Sequence, residues 1–169
     1  MTAVLPVKTD AQLDLVLERV VDIPKSQIWK AWTTPELLTP WFCPKPWSVS
    51  ECRIDLKPGG EFFTRMRGPE GEDMPNAGCY LEVIPETSLV WTNTLLPGFR
   101  PADLPAGDEM GCNFPFTGQI LLEDHPTGAK YIAIARHATA ADAQKHVAMG
   151  FEEGWGICLD QLVAFVKTW

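Results

Sequence analysis

His137 and His146 are the residues of this chain best placed to move a proton. An unperturbed imidazole titrates near pH 6.5, so either ring can act as acid or base near neutrality. The sequence holds three histidines, few enough to weigh singly. His125 falls in the turn "EDHPTG" and is expected in solvent. His137 ends a strand and His146 lies near the start of the last helix, so the fold can bring the two together. The alternative role for both is structural, hydrogen bonding across that strand-to-helix junction. Glu152 and Glu153 stand close enough in sequence to suggest a metal site, but "H-x5-E-E" has no recognised ligand spacing, and no metal is expected.

Arg19 is the second chemical candidate. In "LDLVLERVVD" it shares a strand face with Leu13, Leu15, Leu17 and Val21. A guanidinium on an apolar face is costly unless paired. The partner is either a carboxylate of the same domain or the carboxylate of a ligand, which an arginine fork suits. Arg65 and Arg67 alternate with apolar neighbours and are expected to point to solvent.

The five cysteines, Cys43, Cys52, Cys79, Cys112 and Cys158, are odd in number and never spaced as C-x-x-C. Zinc and redox sites announce themselves by that spacing, so all five are expected unpaired, as in a cytoplasmic protein. No G-x-S-x-G elbow, H-E-x-x-H or phosphate-binding glycine loop is present. The glycines of "LKPGGEF" lack the strand-to-helix context of a dinucleotide site and read as a hairpin turn. No cofactor is expected, and whether the chain catalyses anything stays open.

Seven tryptophans and eight phenylalanines in 169 residues are too many to leave outside. Some must be core. A surplus around a pocket suits an apolar or aromatic ligand, because such pockets are mostly hydrophobic with a few polar groups. The candidates for a cavity wall are Arg19, Trp32, Trp41, Phe62, Trp91, Phe114, His137, Phe151 and Trp155. The net charge of −8 argues against nucleic acid and against anionic membrane surfaces. No stretch has the length of a membrane span, and "MTAVLPVKTD" has no signal-peptide pattern.

The elements that must position these residues follow from hydrophobic period. "LDLVLERVVD" alternates as a strand. "QIWKAWTTPELL" turns helical, and Pro35 splits it into two short helices, with Thr34 as cap of the second. From Ser48 the period returns to two. "SVSECRIDL", "EFFTRMR", "AGCYLEV", "SLVWTNT", "FTGQILLED" and "KYIAIARH" read as six strands of a meander. A helix from about Ala141 carries Val147, Phe151, Trp155, Cys158, Leu162, Phe165 and Trp169 as one apolar stripe. Gly154 and Gly156 flank Trp155 in it, each at a cost of roughly 1 kcal/mol relative to alanine. The whole is an α+β layer fold, one domain over residues 11–169 behind an extension of residues 1–10.

Four segments carry a likeness to a known family: "DIPKSQIWKAWTTPELLTPWF", "IDLKPGGEF", "GCYLEVIPETSLVWTN" and "ARHATAADAQKHVAMGFEEGWGICLDQLVAFV". Through them the chain resembles the START-related (SRPBCC, birch-pollen-allergen-like) superfamily. Within it, the chain is similar to homologues of the activator of the heat-shock protein 90 ATPase. The resemblance implies a helix-grip fold, a curved antiparallel sheet wrapped around a long C-terminal helix, with two short helices after the first strand and a cavity between sheet and helix. Gly150, Gly154 and Gly156 are then expected either to ease close packing of the helix, letting Trp155 bury deeply, or to leave room in the cavity wall.

Three functions follow. The first is binding of a small hydrophobic molecule in the cavity, without chemistry. The second is an enzyme of the polyketide cyclase or aromatase kind, with His137, Arg19 or a tyrosine supplying a proton. The third is a chaperone cofactor, which ranks last because the chain shows no separate N-terminal domain of the kind such activators use. The loop from Leu95 to Pro115 is long enough to gate a cavity, with Phe99, Met110 and Phe114 turned to the opening. Its rival role is to pack outside the domain or on a second subunit, which would make a homodimer.

Overall fold

The computed structural model describes residues 8–104 and 114–169. One seven-stranded antiparallel sheet dominates it, in the order β1-β9-β8-β5-β4-β3-β2. The strands are β1 (Asp14–Val21), β2 (Ser48–Ile54), β3 (Glu61–Arg67), β4 (Asp73–Ile84), β5 (Ser88–Thr92), β8 (Phe116–His125) and β9 (Gly128–His137). This is the meander expected from the period-two runs, with the first strand closing on the last. Two short strands inside the long loop, β6 (Leu95–Leu96) and β7 (Arg100–Pro101), form a separate ribbon that hydrophobic alternation did not announce. β-Bulges fall between Val49 and Glu51 and between Tyr80 and Glu82. Such bulges bend a strand and raise its twist, and so curve the sheet.

The concave face holds most of the core. Leu17, Phe62, Tyr80, Leu89, Ile120 and Tyr131 are buried there against the helices. Above them lie α1 (Lys25–Thr33), α2 (Pro35–Leu38), α3 (Ala140–Ala148) and α4 (Phe151–Val166). The first helix buries Ile28, Ala31 and Trp32, the spacing of one helical face. Pro35 opens α2 as expected, but Thr34 makes no side-chain capping bond; its carbonyl accepts from Leu37 and Leu38 instead. On the opposite face a polar ladder crosses four strands. Glu82 accepts from Ser88 at 2.9 Å, Gln119 donates to Ser88 at 3.1 Å, and Arg136 donates to Gln119 at 2.7 Å.

The C-terminal helix is two helices, not one. Gly150 takes a left-handed conformation, φ 85°, between α3 and α4. Glycine adopts that region without the clash a Cβ would bring. The break redirects the apolar stripe, leaving Val147 58% exposed while Phe151 is buried. Gly154 and Gly156 do not ease packing against any described neighbour, because a Cβ at either would meet no described atom beyond its own stretch of helix within 4 Å. Among the described residues no helix is long and apolar enough to cross a membrane.

Candidate functional site

A cavity of about 520 Å³ lies between the concave face and the helices. The sheet supplies its floor through Trp91, Phe116 and Tyr131, whose side chains alternate onto the concave face of their strands, and through the bare backbone of Gly78. Trp155 and Cys158 of α4, with His146 of α3, form the opposite wall. Trp32 of α1 and the Trp41–Phe42 pair that follows α2 close the flank. The rim includes Leu96 of β6 and residues Ala102, Asp103 and Leu104.

The wall is an aromatic cluster of edge-to-face and tilted pairs. Trp32 stands 5.0 Å from Trp41 and 5.4 Å from Trp91 between ring centroids, and Phe62 stands 5.6 Å from Trp91. Those separations are the range in which aromatic quadrupoles favour one another, so the rings are positioned as well as buried. Trp91 reaches the floor because its register partner on β8 is Gly118.

Few polar groups interrupt this surface. Asn93 is already committed, donating to the Phe114 carbonyl at 2.9 Å and accepting from the Phe116 N–H at 3.0 Å. The Cys158 thiol donates to the Phe42 carbonyl at 3.4 Å, and burial, with Cys43 nearby, pushes its pKa up to about 12. The Trp32 Nε1–H is buried without a hydrogen-bond partner among the described residues. It lies near enough to the Tyr131 hydroxyl to influence it, yet short of hydrogen-bond geometry. Burial pushes the Tyr131 phenol far up, so it stays protonated.

His146 is the titratable group of the wall. Its Nδ1 lies 3.0 Å from His137 Nε2, and His137 Nδ1 lies 2.8 Å from the Leu13 carbonyl oxygen. Phe114, Phe151 and Trp155 surround the His146 ring, with centroids 4.9, 5.1 and 6.0 Å away. Burial first, and the neighbouring His137 second, push its pKa down to about 4.

Of the nine residues the sequence nominates, Trp32, Trp41, Phe62, Trp91 and Trp155 line the cavity. Phe114, His137 and Phe151 stand one layer behind, all three packed against His146. The histidine on the wall is therefore His146 rather than His137. Arg19 is elsewhere. It sits on an edge strand beside the first turn of α4, so its long side chain reaches solvent instead of the interior. There it donates to the Glu18 carbonyl and lies 3.7 Å from Glu152, an exposed pair worth little. Arg65 meets Asp73 at 2.9 Å on the outer side of β3, as its alternation implied. No group of three or more metal-ligating side chains occurs among the described residues.

Thr64, Met66, Phe116 and Tyr131 line the cavity without having been nominated. Alternation held the signal for all four. Thr64 and Met66 follow Phe62 at steps of two, and Tyr131 precedes His137 on the same face of β9. Met110, with the rest of residues 105–113 in the loop expected to gate the cavity, lies outside the described residues. Its described part contributes Leu96 and residues 102–104 to the rim, while Phe99 turns away onto Gly59.

The sequence model of the family described as activator of Hsp90 ATPase homolog 1-like protein matches residues 22–167. A Nitrosomonas europaea protein of known crystal structure is 45% identical, with a TM-score of 0.87 over 95% of this chain and 97% of that one. A Rhodobacter sphaeroides protein is 19% identical, with a TM-score of 0.78 over 94% and 95% of the two chains. An AHSA1-like protein of Aeromonas hydrophila is 18% identical, with a TM-score of 0.65 over 92% and 93%. The last two likenesses are of fold alone. No curated protein matches the sequence significantly.

Proposed function

The chain belongs to the activator of Hsp90 ATPase homolog 1-like family, and from that premise we propose that it binds a small apolar or aromatic molecule in the cavity between sheet and α4. Residues 11–169 act as one helix-grip unit for this purpose. One observation carries the reading: a cavity of about 520 Å³ walled by Trp32, Trp41, Phe62, Trp91 and Trp155. That volume suits a ligand of two or three fused rings, and burial of such a ligand against aromatic walls supplies the affinity. Thiols buried and protonated at neutral pH fit a reducing, cytoplasmic setting.

The test is native mass spectrometry of freshly purified protein, followed by titration with a naphthalene-class fluorophore. Wild type should carry or take up one molecule. Cys158→Phe, which places a ring inside the cavity, should abolish uptake. A protein that is empty on purification and gives no saturable binding would remove the proposal.

The enzyme reading keeps one supporting observation, the His146–His137 pair against the cavity. Turnover of a polyketide-like substrate, lost in His146→Phe, separates it from simple binding. The chaperone-cofactor reading has the family's name behind it and no feature of the cavity.

A further inference from the structure

Hydrogen bonding fixes which nitrogens of the two histidines carry protons. The Leu13 carbonyl can only accept, so the proton between it and His137, at 2.8 Å, sits on His137 Nδ1. In the neutral His137 ring, Nε2 is then bare. His146 Nδ1, 3.0 Å away, must therefore be the donor to it. A neutral imidazole has one N–H, so His146 Nε2 carries a lone pair, and among the described residues nothing donates to it. His146 is 8% exposed and lines the cavity. It resists protonation there, with its pKa pushed down to about 4 by burial and by His137.

We propose that His146 Nε2 is the hydrogen-bond acceptor of the cavity, and that its ligand is an aromatic molecule carrying a hydroxyl or N–H donor, a phenol being the simplest class. This rests on the reading of the cavity as a ligand site. Other acceptors also line the cavity. Asn76 Oδ1, Thr64 Oγ1 and the Tyr131 hydroxyl accept no hydrogen bond from a described residue. The two hydroxyls can equally donate and Asn76 carries its own N–H donors, whereas a bare imidazole nitrogen can only accept. The remaining acceptors are weaker or occupied. Asn93 Oδ1 already accepts from Phe116, the Cys158 sulfur is a poor acceptor, and Asp103 is exposed at the rim. A guest without a donor leaves the Nε2 lone pair buried and unpaired. A guest with one satisfies it in a low-dielectric site, where a hydrogen bond counts for more than in water. His137 is a positioning residue, holding His146 in the tautomer that presents the acceptor.

The probes are 2-naphthol and 2-methoxynaphthalene, which share a ring system and differ in the donor. Calorimetric titration at pH 8 keeps unperturbed imidazoles neutral. The naphthol should bind about tenfold tighter or more, although the ether is the more hydrophobic molecule. The preference should disappear in His146→Phe. Equal affinities, or a preference for the ether, overturn the acceptor while the cavity reading stands. Failure of both probes to bind removes both readings. Long-range proton–nitrogen correlation spectra of the unliganded wild type provide a test independent of any variant's folding. They should place the His146 proton on Nδ1; a proton on Nε2 overturns the inference.

Discussion

Trp91 lies directly over Gly118 on the neighbouring strand, and a Cβ on that glycine would stand 2.6 Å from the indole Cε2. No real side chain tolerates that contact, so the indole can settle on the sheet only because position 118 has no side chain. The floor of the cavity is thereby set lower by one layer of atoms.

Gly118→Ala should force Trp91 upward into the cavity. The expected loss of stability is roughly 1–3 kcal/mol, the usual cost of overpacking a well-filled site. Affinity for a naphthalene-class probe should fall with it. Urea denaturation and probe titration check both; a change below about 0.5 kcal/mol with unaltered affinity would show that Trp91 has free room elsewhere.

Trp155 is half-buried with one face on the cavity, whereas Phe151 beside it is 5% exposed. The order of cost should follow burial rather than ring size. Phe151→Ala should destabilise by about 3–5 kcal/mol, and Trp155→Ala by roughly 1–3 kcal/mol. Denaturation curves that rank Trp155 above Phe151 would contradict this.

Gly154→Ala and Gly156→Ala should each stabilise the protein, by about 0.5–1 kcal/mol. Both positions are helical, and among the described residues a Cβ at either meets nothing within 4 Å beyond its own stretch of helix. Only the entropic cost of glycine then remains to be removed. Thermal denaturation of the two variants gives the answer, and a lower melting temperature would point to a contact of the free space with something else.

His146 should make stability fall in acid. The unfolded ring takes up a proton near pH 6.5, while the folded ring holds out until about 4. Between those values the unfolded state binds more protons, so stability drops as pH drops. The full contribution stands above pH 6.5 and is gone below about 4, and is on the order of 3 kcal/mol. In His146→Phe this part of the pH dependence should vanish. Parallel curves for the two proteins between pH 6.5 and 4 would refute it.

Cys43, Cys52, Cys79 and Cys158 are free thiols in the structure, and burial pushes the first two up to about 11. Cys112 lies outside the described residues. Intact mass should not change on reduction, and brief iodoacetamide treatment at pH 8 should leave these four unlabelled until the protein is unfolded. Labelling of Cys158 in the native state would mean that the reagent enters the cavity and finds thiolate there, against the raised pKa.

The sheet was legible because alternation is a strong local signal, and every long strand of the meander carries it. The C-terminal break was not. Gly150 lies in an unbroken helical pattern, and its left-handed conformation is a property of the backbone that hydrophobicity does not encode. Arg19 misled for a related reason: period two assigns a face, but not whether the strand is an edge from which a long side chain can escape. The site was half legible. Aromatic content pointed to a cavity wall, and Trp32, Trp41, Phe62, Trp91 and Trp155 are on it. Which histidine faces inward depended on the turn of α3 against β9, a tertiary fact. Gly154 and Gly156 had a physical cost visible in the sequence, but no packing reason for it emerges in the fold.

The rim of the cavity is fastened at an unexpected place. Phe99 lies across Gly59, where a Cβ would come within 2.7 Å of the ring, and the Gly98 N–H donates to the Gly59 carbonyl at 2.8 Å. Gly59 itself has φ +82°, so any other residue there would be strained as well as displace the ring. The short ribbon at the entrance is thus mechanically continuous with the β2–β3 hairpin turn. Stiffness at the doorway is set some forty residues upstream of Phe99, in a turn outside the cavity lining.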